Sequence, residues 1–193
     1  RQALGLGDEP LIVSCWGSLG AREMNKKIAQ FMRCECEDGT PFHHIHATGS
    51  FGWRWMPDYV KEQGVDLAAH PALDMREYIY DMPQVLAAAD LIICRAGAAT
   101  IAEVCASGTP CIMVPSPNVT GNHQEKNARV LERSGAAAVV READCDGKSL
   151  YETAKAILSD AGRMRAMRAS ARDMAVVDAA ERIYQTALDL AKH

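Results

Sequence analysis

The strongest constraint on the fold comes from two short apolar runs, each followed by small residues and then by a helical pattern. The runs are 11–15 (LIVSC) and 91–94 (LIIC), and the small residues after them lie at 17–20 (GSLG) and 95–99 (RAGAA). Continuous apolar runs of this length are typical of strands that are buried on both faces of a parallel sheet. Strands that alternate with helices predict an α/β fold with helices on both faces of that sheet.

The same alternation predicts the other elements. Strands are expected at 42–48, 65–68, 111–114 and 137–140, and helices from about Ala21 (with Met24, Ile28 and Phe31 on one face) and at 82–89, 98–107 and 124–133. Gly108 and Gly135 stand where a left-handed residue commonly ends a helix. Residues 49–64 show no regular pattern. We expect Trp53 and Trp55 to pack beneath this loop, and the alternative is that they form a clamp on the surface.

The last part of the chain reads as helical. Ser149 and Glu152 resemble a capping box at the start of one helix. Asp178 can cap a final helix, which has one apolar stripe formed by Ala180, Ile183, Tyr184, Ala187 and Ala191.

Both small-residue turns follow a strand, so a parallel sheet places them at the same edge. Ligands of such sheets bind beyond the carboxyl ends of the strands, and a helix that begins with small residues presents N–H groups that attract phosphate. Glu103 lies one turn inside the helix that follows the second turn, on the same face as Thr100. A carboxylate there can accept two hydrogen bonds from a ribose diol, so the pattern indicates a nucleotide. The alternative is a tightly packed helix with a solvated Glu103.

Weaker signals come from two other segments. Gln124 and Asn127, which follow His123 near a helix start, carry amides that suit a hydroxyl-rich ligand such as a sugar. The alternative for them is surface polarity beside a helix cap at Asn122. Ser18 can approach a phosphate or a sugar, although its turn also suits an ordinary connection from strand to helix.

Composition excludes several classes of function. The net charge is -4, and the basic residues Arg163, Arg165, Arg168 and Arg172 alternate with Met at helical spacing, which favours a solvated helix face over a nucleic-acid interface. No apolar run approaches the length of a membrane span, so we expect a soluble chain. Seven cysteines without framework spacing favour reduced thiols in a cytosol.

The sequence gives little indication of a metal site or of a catalytic nucleophile. Cys34, Cys36, His43, His44 and His46 lie close in sequence. However, Cys-x-Cys is not a usual zinc spacing, and His43 faces away from the other two histidines on a strand. The chain has no GxSxG elbow and no GxGxxG followed by an acidic residue, which argues against a serine hydrolase and a dehydrogenase. We therefore expect no metal and no other cofactor.

Taken together, the motifs resemble the donor-binding half of the MurG family of bacterial glycosyltransferases. They are the runs RAGAATIAE, GTP, HQEKNA and GAA, the prolines Pro115 and Pro117, and the segments GSLGA and EYIYDM, at 95–103, 108–110, 123–128, 135–137, 17–21 and 77–82. The resemblance extends from about residue 9 to the end. It implies a Rossmann-like, doubly wound sheet that forms the C-terminal half of a GT-B glycosyltransferase. Residues 1–193 are then one donor-nucleotide-binding domain, with 1–9 as the end of a linker and 176–193 as a C-terminal helix.

The resemblance also implies roles for individual residues. Ile79 presents its backbone to uracil, Glu103 holds the ribose hydroxyls, and the helix start receives the diphosphate. The full set of implied substrate-binding residues is Ser18, Ile79, Ala98, Ala99, Thr100, Ile101, Ala102, Glu103, Gln124 and Asn127. The chain departs from the family at Trp16, where a glycine is usual, and at Leu19, where a glutamine is common.

The implied function is the UDP-N-acetylglucosamine-binding half of an inverting transferase that converts lipid I to lipid II in peptidoglycan synthesis. Such an enzyme associates peripherally with the cytoplasmic side of the membrane and takes an undecaprenyl-linked muramyl-pentapeptide as acceptor. Because the chain begins at Arg1 without Met, we expect a fragment without the acceptor domain and its general base, and therefore inactive alone. The alternative is a stand-alone UDP-sugar-binding subunit that needs a separate membrane partner chain.

Overall fold

The structure is a computed structural model that describes residues 1–192, and its centre is a sheet of six parallel strands. The strands are β1 (Leu11–Cys15), β2 (His43–Ala47), β3 (Leu73–Arg76), β4 (Leu91–Cys94), β5 (Cys111–Met113) and β6 (Ala137–Val139). Their order across the sheet is β3-β2-β1-β4-β5-β6. The predicted parallel α/β fold is confirmed.

Helices cover both faces of the sheet. They are α1 (Arg22–Glu37), α2 (Met56–Glu62), α3 (Met82–Ala88), α4 (Ala98–Ser107), α5 (His123–Ser134), α6 (Gly147–Leu158), α7 (Ala161–Asp173) and α8 (Ala179–Ala191). One core packs α1, α2 and α6 against the first face, with Met24, Ile28 and Phe31 fully buried as predicted. The other core packs α3, α4 and α5 against the second face. Among residues 1–192, no helix combines the length and apolarity that crossing a membrane requires.

The strand order creates a switch point between β1 and β4. From β1 the chain runs outward through β2 to β3, and it then returns to pair β4 with the free side of β1. Cys15 lies opposite Cys94 in this pair, so both strands end at the same level. The two small-residue turns therefore begin side by side at one edge of the sheet, as predicted.

Two predictions for residues 49–76 were wrong. The segment read as irregular contains α2, where Pro57 occupies the first turn and its missing N–H leaves no hydrogen bond unmade. The third strand is Leu73–Arg76 rather than 65–68, because Val65 instead bonds back to the Val60 carbonyl at the end of α2. Trp55 packs on Tyr59 as expected, with 5.6 Å between ring centroids. Trp53 does not pack beneath the loop but is exposed.

The tail differs from the prediction in its caps and its packing. The capping box of α6 pairs Asp146 with Ser149, so Ser149 is its third helical residue and Glu152 is not part of it. Asp178 stands at the start of α8, but its side chain pairs with Arg182 at 2.9 Å instead of capping the helix. The predicted apolar stripe of α8 does not pack against the rest of the described chain, because every residue of this helix from 179 to 191 is exposed.

Candidate functional site

A cavity of about 400 Å³ opens beyond the carboxyl ends of β1 and β4, at the switch point of the sheet. This is the position at which doubly wound sheets bind their ligands. The two small-residue turns and the loop after β3 form its walls, and the residues that line it include Ser18, Ile79, Arg95, Gly97, Thr100, Glu103 and Gln124. The lining also includes Ala47 at the end of β2, so the cavity brings together residues from five separate segments of the chain.

The start of α4 is bare where it meets this cavity. Gly97 precedes the helix, and no side chain within residues 1–192 caps the first N–H groups. Gly97 has an ordinary φ of -71°, and a Cβ built on it meets nothing nearer than the Thr100 hydroxyl at 4.0 Å. Neither the backbone nor the packing requires glycine here. The space it leaves lies above unpaired N–H groups at the positive end of a helix, which suits an anion.

Glu103 lies at the border of the cavity with an exposed carboxylate. Its charge reaches the end of β1: burial raises the pKa of the Cys15 thiol to about 12, and the Glu103 carboxylate adds to that shift. Burial likewise raises the pKa of the Cys94 thiol. Both thiols are therefore protonated at neutral pH and are poor nucleophiles, whereas Glu103 is available to accept hydrogen bonds.

The loop after β3 supplies the opposite wall. Ile79 is buried and lines the cavity, and neither its N–H nor its carbonyl forms a hydrogen bond within the described residues. Tyr78 and Met82 lie on either side of it along the same wall. An unpaired backbone edge between two apolar side chains can recognise a flat ring that has both donors and acceptors.

The two amides predicted to read a sugar have different positions. Gln124 lines the cavity, and its Oε1 accepts a hydrogen bond from the Ser116 N–H at 2.9 Å. This contact orients the amide and leaves its NH₂ group available to a ligand. Asn127 does not line the cavity, because its Nδ2 donates to the Ala96 carbonyl at 3.2 Å. Asn127 thus holds the turn that precedes Gly97.

The turn after β1 depends on glycine. Gly17 and Gly20 have φ values of 84° and 79°, in the left-handed region that favours glycine. A Cβ on Gly20 would also lie 2.1 Å from the Thr48 carbonyl oxygen. The turn therefore packs directly against the backbone after β2, and this contact holds Ser18 at the cavity with its side chain exposed.

Trp16, which departs from the family pattern, is among the residues that line the cavity. Its ring is buried in the core and lies beneath the Arg95 guanidinium, 5.6 Å from ring centroid to Cζ. Arg95 also donates to the Val114 carbonyl at 3.0 Å and pairs with Glu142 at 2.6 Å. The sequence reasoning assigned no role to Arg95, although a cation directly after a strand at a switch point is a recognisable signal.

Six of the ten predicted substrate-binding residues meet in the cavity, and four do not. Those that line it are Ser18, Ile79, Ala99, Thr100, Glu103 and Gln124. Ala98, Ile101, Ala102 and Asn127 lie outside its lining. On a helix, only residues on one face point toward a ligand, so a continuous stretch from 98 to 103 cannot all contribute side chains. The N–H groups of the first turn remain available there regardless of side-chain direction.

Other polar clusters are less suited to a ligand. A groove of about 500 Å³ between α1 and α6 is lined by charged groups that satisfy one another, such as Asp38 with Lys155 and Tyr151. Residues 1–192 contain no group of three or more His, Cys, Asp or Glu side chains arranged to hold a metal ion. The sequence segment with closely spaced Cys and His residues therefore does not form such a cluster.

The histidines of β2 instead join a polar network inside the core. Ser14 Oγ lies 2.7 Å from both His44 Nε2 and His46 Nδ1, which confirms that these two rings share one strand face. His44 Nδ1 lies 2.8 Å from Glu35 Oε2. The order Glu-His-Ser resembles a hydrolase triad, but all four side chains are fully buried and no substrate can reach them. The network is therefore structural.

This network makes stability depend on pH. Burial lowers the pKa of His46 to about 3, and the neighbouring His44 adds to the shift. The folded state then excludes a proton that the unfolded chain binds. The stabilising contribution of the neutral His46 ring is therefore complete above about pH 6.5, the pKa of the unfolded chain, and it is lost progressively as the pH falls below that value. We expect the free energy of unfolding to be about 1.4 kcal/mol lower at about pH 5.5 than at about pH 8.

Urea unfolding at the two pH values measures this difference, with His46→Gln as the comparison. Burial also lowers the pKa of His43, which acts in the same direction, so the variant should retain only the smaller part of the pH dependence. An unchanged pH dependence in His46→Gln would contradict the assignment to His46.

Comparisons with known proteins agree with this architecture. A family model described as the glycosyltransferase family 28 C-terminal domain matches residues 11–183. The chain belongs to this glycosyltransferase family. The crystal structure of Acinetobacter baumannii MurG superposes with a TM-score of 0.77 at 26% identity, over 93% of this chain and 52% of that one. The predicted family and the GT-B half-fold are thus confirmed.

Curated relatives of this glycosyltransferase domain have one name in common. Proteins of Acetivibrio thermocellus and Caldanaerobacter subterraneus subsp. tengcongensis are 38% and 40% identical to it over 100% and 96% of the chain. Both are named UDP-N-acetylglucosamine--N-acetylmuramyl-(pentapeptide) pyrophosphoryl-undecaprenol N-acetylglucosamine transferase. The chain spans about half of their length, 51% and 50% respectively.

Proposed function

We propose that this domain binds UDP-N-acetylglucosamine as the donor half of an inverting N-acetylglucosaminyltransferase of peptidoglycan synthesis. The observation that carries the proposal is the meeting of the bare α4 start, Glu103 and the unpaired Ile79 backbone in one cavity. These groups match the diphosphate, the ribose and the uracil of a UDP-sugar in chemistry. The names of the curated relatives support the same donor and a lipid-linked acceptor at the membrane surface.

The domain would act on the leaving group. An acceptor hydroxyl attacks the anomeric carbon, the bond from that carbon to the UDP oxygen breaks, and the acceptor proton passes to a base outside residues 1–192. Negative charge grows on the diphosphate as the bond breaks, and preorganised N–H groups at the start of α4 stabilise it without rearranging. Such a helix start contributes up to about 2 kcal/mol, so positioning of the acceptor must supply much of the remaining rate enhancement.

Isothermal titration calorimetry of the domain with UDP, UDP-N-acetylglucosamine and NAD tests the proposal. We expect both uridine ligands to bind and NAD to bind far more weakly, because the turn after β1 lacks the dinucleotide pattern. Tighter binding of NAD than of UDP would refute the assignment. The same domain, given donor and lipid acceptor, is expected to transfer no sugar, and detectable transfer would show that it contains the whole catalytic apparatus.

A second variant tests the diphosphate position. Gly97→Ala places a methyl group in open space above the α4 start, and alanine is disfavoured in this cap position, so we expect the free energy of unfolding to fall by about 1 kcal/mol. UDP binding should weaken several-fold because the methyl group occupies the approach to the N–H groups. Uridine, which lacks the diphosphate, should be affected much less. Equal losses for UDP and uridine would place the diphosphate elsewhere.

A further inference from the structure

The Arg95 guanidinium has protein partners at one of its three nitrogen atoms. Arg95 directly follows β4 and lines the cavity, with 13% of its side chain exposed. Its Nη1 donates to the Val114 carbonyl at 3.0 Å, and Glu142 Oε2 lies 2.6 Å from the same nitrogen. Glu142 Oε2 forms no aligned hydrogen bond within the described residues, so this second contact contributes charge alone. Both partners therefore lie on the Nη1 side of the group.

The opposite edge of the guanidinium is available to a ligand. Nε and Nη2 of Arg95 donate to no acceptor among residues 1–192, and neither atom is sealed from solvent. These two nitrogens form one edge of the planar group, and such an edge can bind two phosphate oxygens at once. Gly97 lines the same cavity and precedes the bare start of α4, which also favours an anion. The edge and the helix start thus suit one ligand with several oxygen atoms.

The Trp16 ring covers one face of this guanidinium. Arg95 Cζ lies 5.6 Å from the ring centroid, within the range of a cation–π contact. The ring is 5% exposed and packs among the core residues of the first sheet face, which fixes its position. Its Nε1–H is buried and has no acceptor in the described part of the chain, a cost that Phe would avoid. The contact with Arg95 can offset this cost, because indole is the side-chain ring that attracts a cation most strongly.

We propose that Trp16 is a positioning residue, whose ring holds the Arg95 guanidinium so that its Nε–Nη2 edge faces the diphosphate of a nucleotide in the cavity. The inference rests on the proposed function, because it takes a nucleoside diphosphate as the ligand. The ring and the Val114 carbonyl orient a long side chain before the ligand arrives, which reduces the entropy lost on binding. Trp16 therefore contributes to diphosphate binding through Arg95.

Calorimetric titration with UDP, and with uridine as the ligand without phosphate, tests this inference. We expect Arg95→Gln to weaken UDP binding by about 10-fold or more, since hydrogen bonds from a charged group are lost. Trp16→Leu should weaken UDP binding by about 3-fold, and Trp16→Phe, which keeps an aromatic face, should weaken it less. Uridine should bind all three variants like the wild type, because it has no diphosphate.

Combining the two changes separates positioning from a general loss of structure. In the Arg95→Gln background, Trp16→Leu should weaken UDP binding no further, because the group that Trp16 orients is already absent. Trp55→Leu is the matched control. Trp55 stacks on the Arg22 guanidinium, 4.9 Å from ring centroid to Cζ, but does not line the cavity, so UDP should bind this variant like the wild type.

Thermal unfolding checks that every variant is folded. Arg95→Lys is the second variant at this position, because it keeps a charge beside Glu142 but loses the two-nitrogen edge, and its UDP affinity should lie between those of the wild type and Arg95→Gln. The inference is overturned if both Arg95 variants bind UDP as tightly as the wild type, or if uridine loses as much affinity as UDP. It is also overturned if Trp16→Leu costs as much in the Arg95→Gln background as in the wild type. The proposed function survives each of these results, whereas a wild-type domain that does not bind UDP would refute both.

Discussion

Replacing Glu35 by Ala is expected to lower the free energy of unfolding by about 3–5 kcal/mol, the usual cost of removing one partner from a buried pair. The Glu35 carboxylate is fully buried, and its Oε2 lies 2.8 Å from His44 Nδ1. His44 in turn contacts Ser14, which contacts His46. Truncation of Glu35 leaves the His44 ring without its partner in a site that water does not reach. The truncation also opens a cavity next to the His44 ring, whose centroid lies 5.2 Å from that of Phe31.

Glu37→Ala is the control for this prediction, because it lies on the same helix and makes the same change in chemistry. Glu37 pairs with Arg33 at 3.1 Å, but both side chains are exposed, so we expect a change of no more than about 0.5 kcal/mol. Urea unfolding of both variants near neutral pH gives the comparison. If Glu35→Ala costs less than about 1 kcal/mol, the buried network does not stabilise the fold in the manner described.

The sequence predicted the fold where the local pattern and the tertiary structure agree. Residues 11–15 and 91–94 are buried on both faces, so their apolar runs were unambiguous. β3 was missed because it is an edge strand in which only Leu73 is fully buried, which leaves no apolar run to recognise. The segment 65–68 was instead predicted as a strand, since it begins with the apolar Val65. In the structure Val65 is buried because it packs at the end of α2. α2 was missed because residues 49–64 show no regular pattern, although Pro57 is well tolerated in its first turn.

The site was predictable to the extent that its parts are local. The turn at 95–99, the helix start and Glu103 are adjacent in sequence, and the parallel sheet alone brings them next to the turn at 17–20. Contacts between distant residues were not predictable. The contact of Asn127, which is predicted to read a sugar, is an example: its Nδ2 donates to the Ala96 carbonyl, 31 positions away. The stacking of Trp16 under Arg95 joins residues almost eighty positions apart, and no local pattern indicates it.

The second large effect is expected for Glu103→Ala, which should weaken UDP binding by about 1–3 kcal/mol, because bound ribose hydroxyls lose a charged acceptor. Glu103 lines the cavity one turn inside α4, next to the N–H groups that we assign to the diphosphate. Its carboxylate is exposed on a helix surface, so stability should change by no more than about 0.5 kcal/mol. Calorimetric titration with UDP, and a urea unfolding curve for the same sample, separate the two effects.

Glu103→Gln and Glu62→Ala sharpen this test. The glutamine keeps an acceptor oxygen at the same length but removes the charge, so its UDP affinity should lie between those of the wild type and Glu103→Ala. Glu62 is exposed at the end of α2, outside the lining of the cavity, and its truncation should leave UDP binding unchanged. Equal affinities for the wild type and Glu103→Ala would remove this carboxylate from the ribose position. Inorganic diphosphate, which has no ribose, should bind Glu103→Ala no more weakly than the wild type, because loss of a negative charge reduces the repulsion of an anion. Equal losses for uridine monophosphate and inorganic diphosphate would therefore point to a structural change at the start of α4 instead.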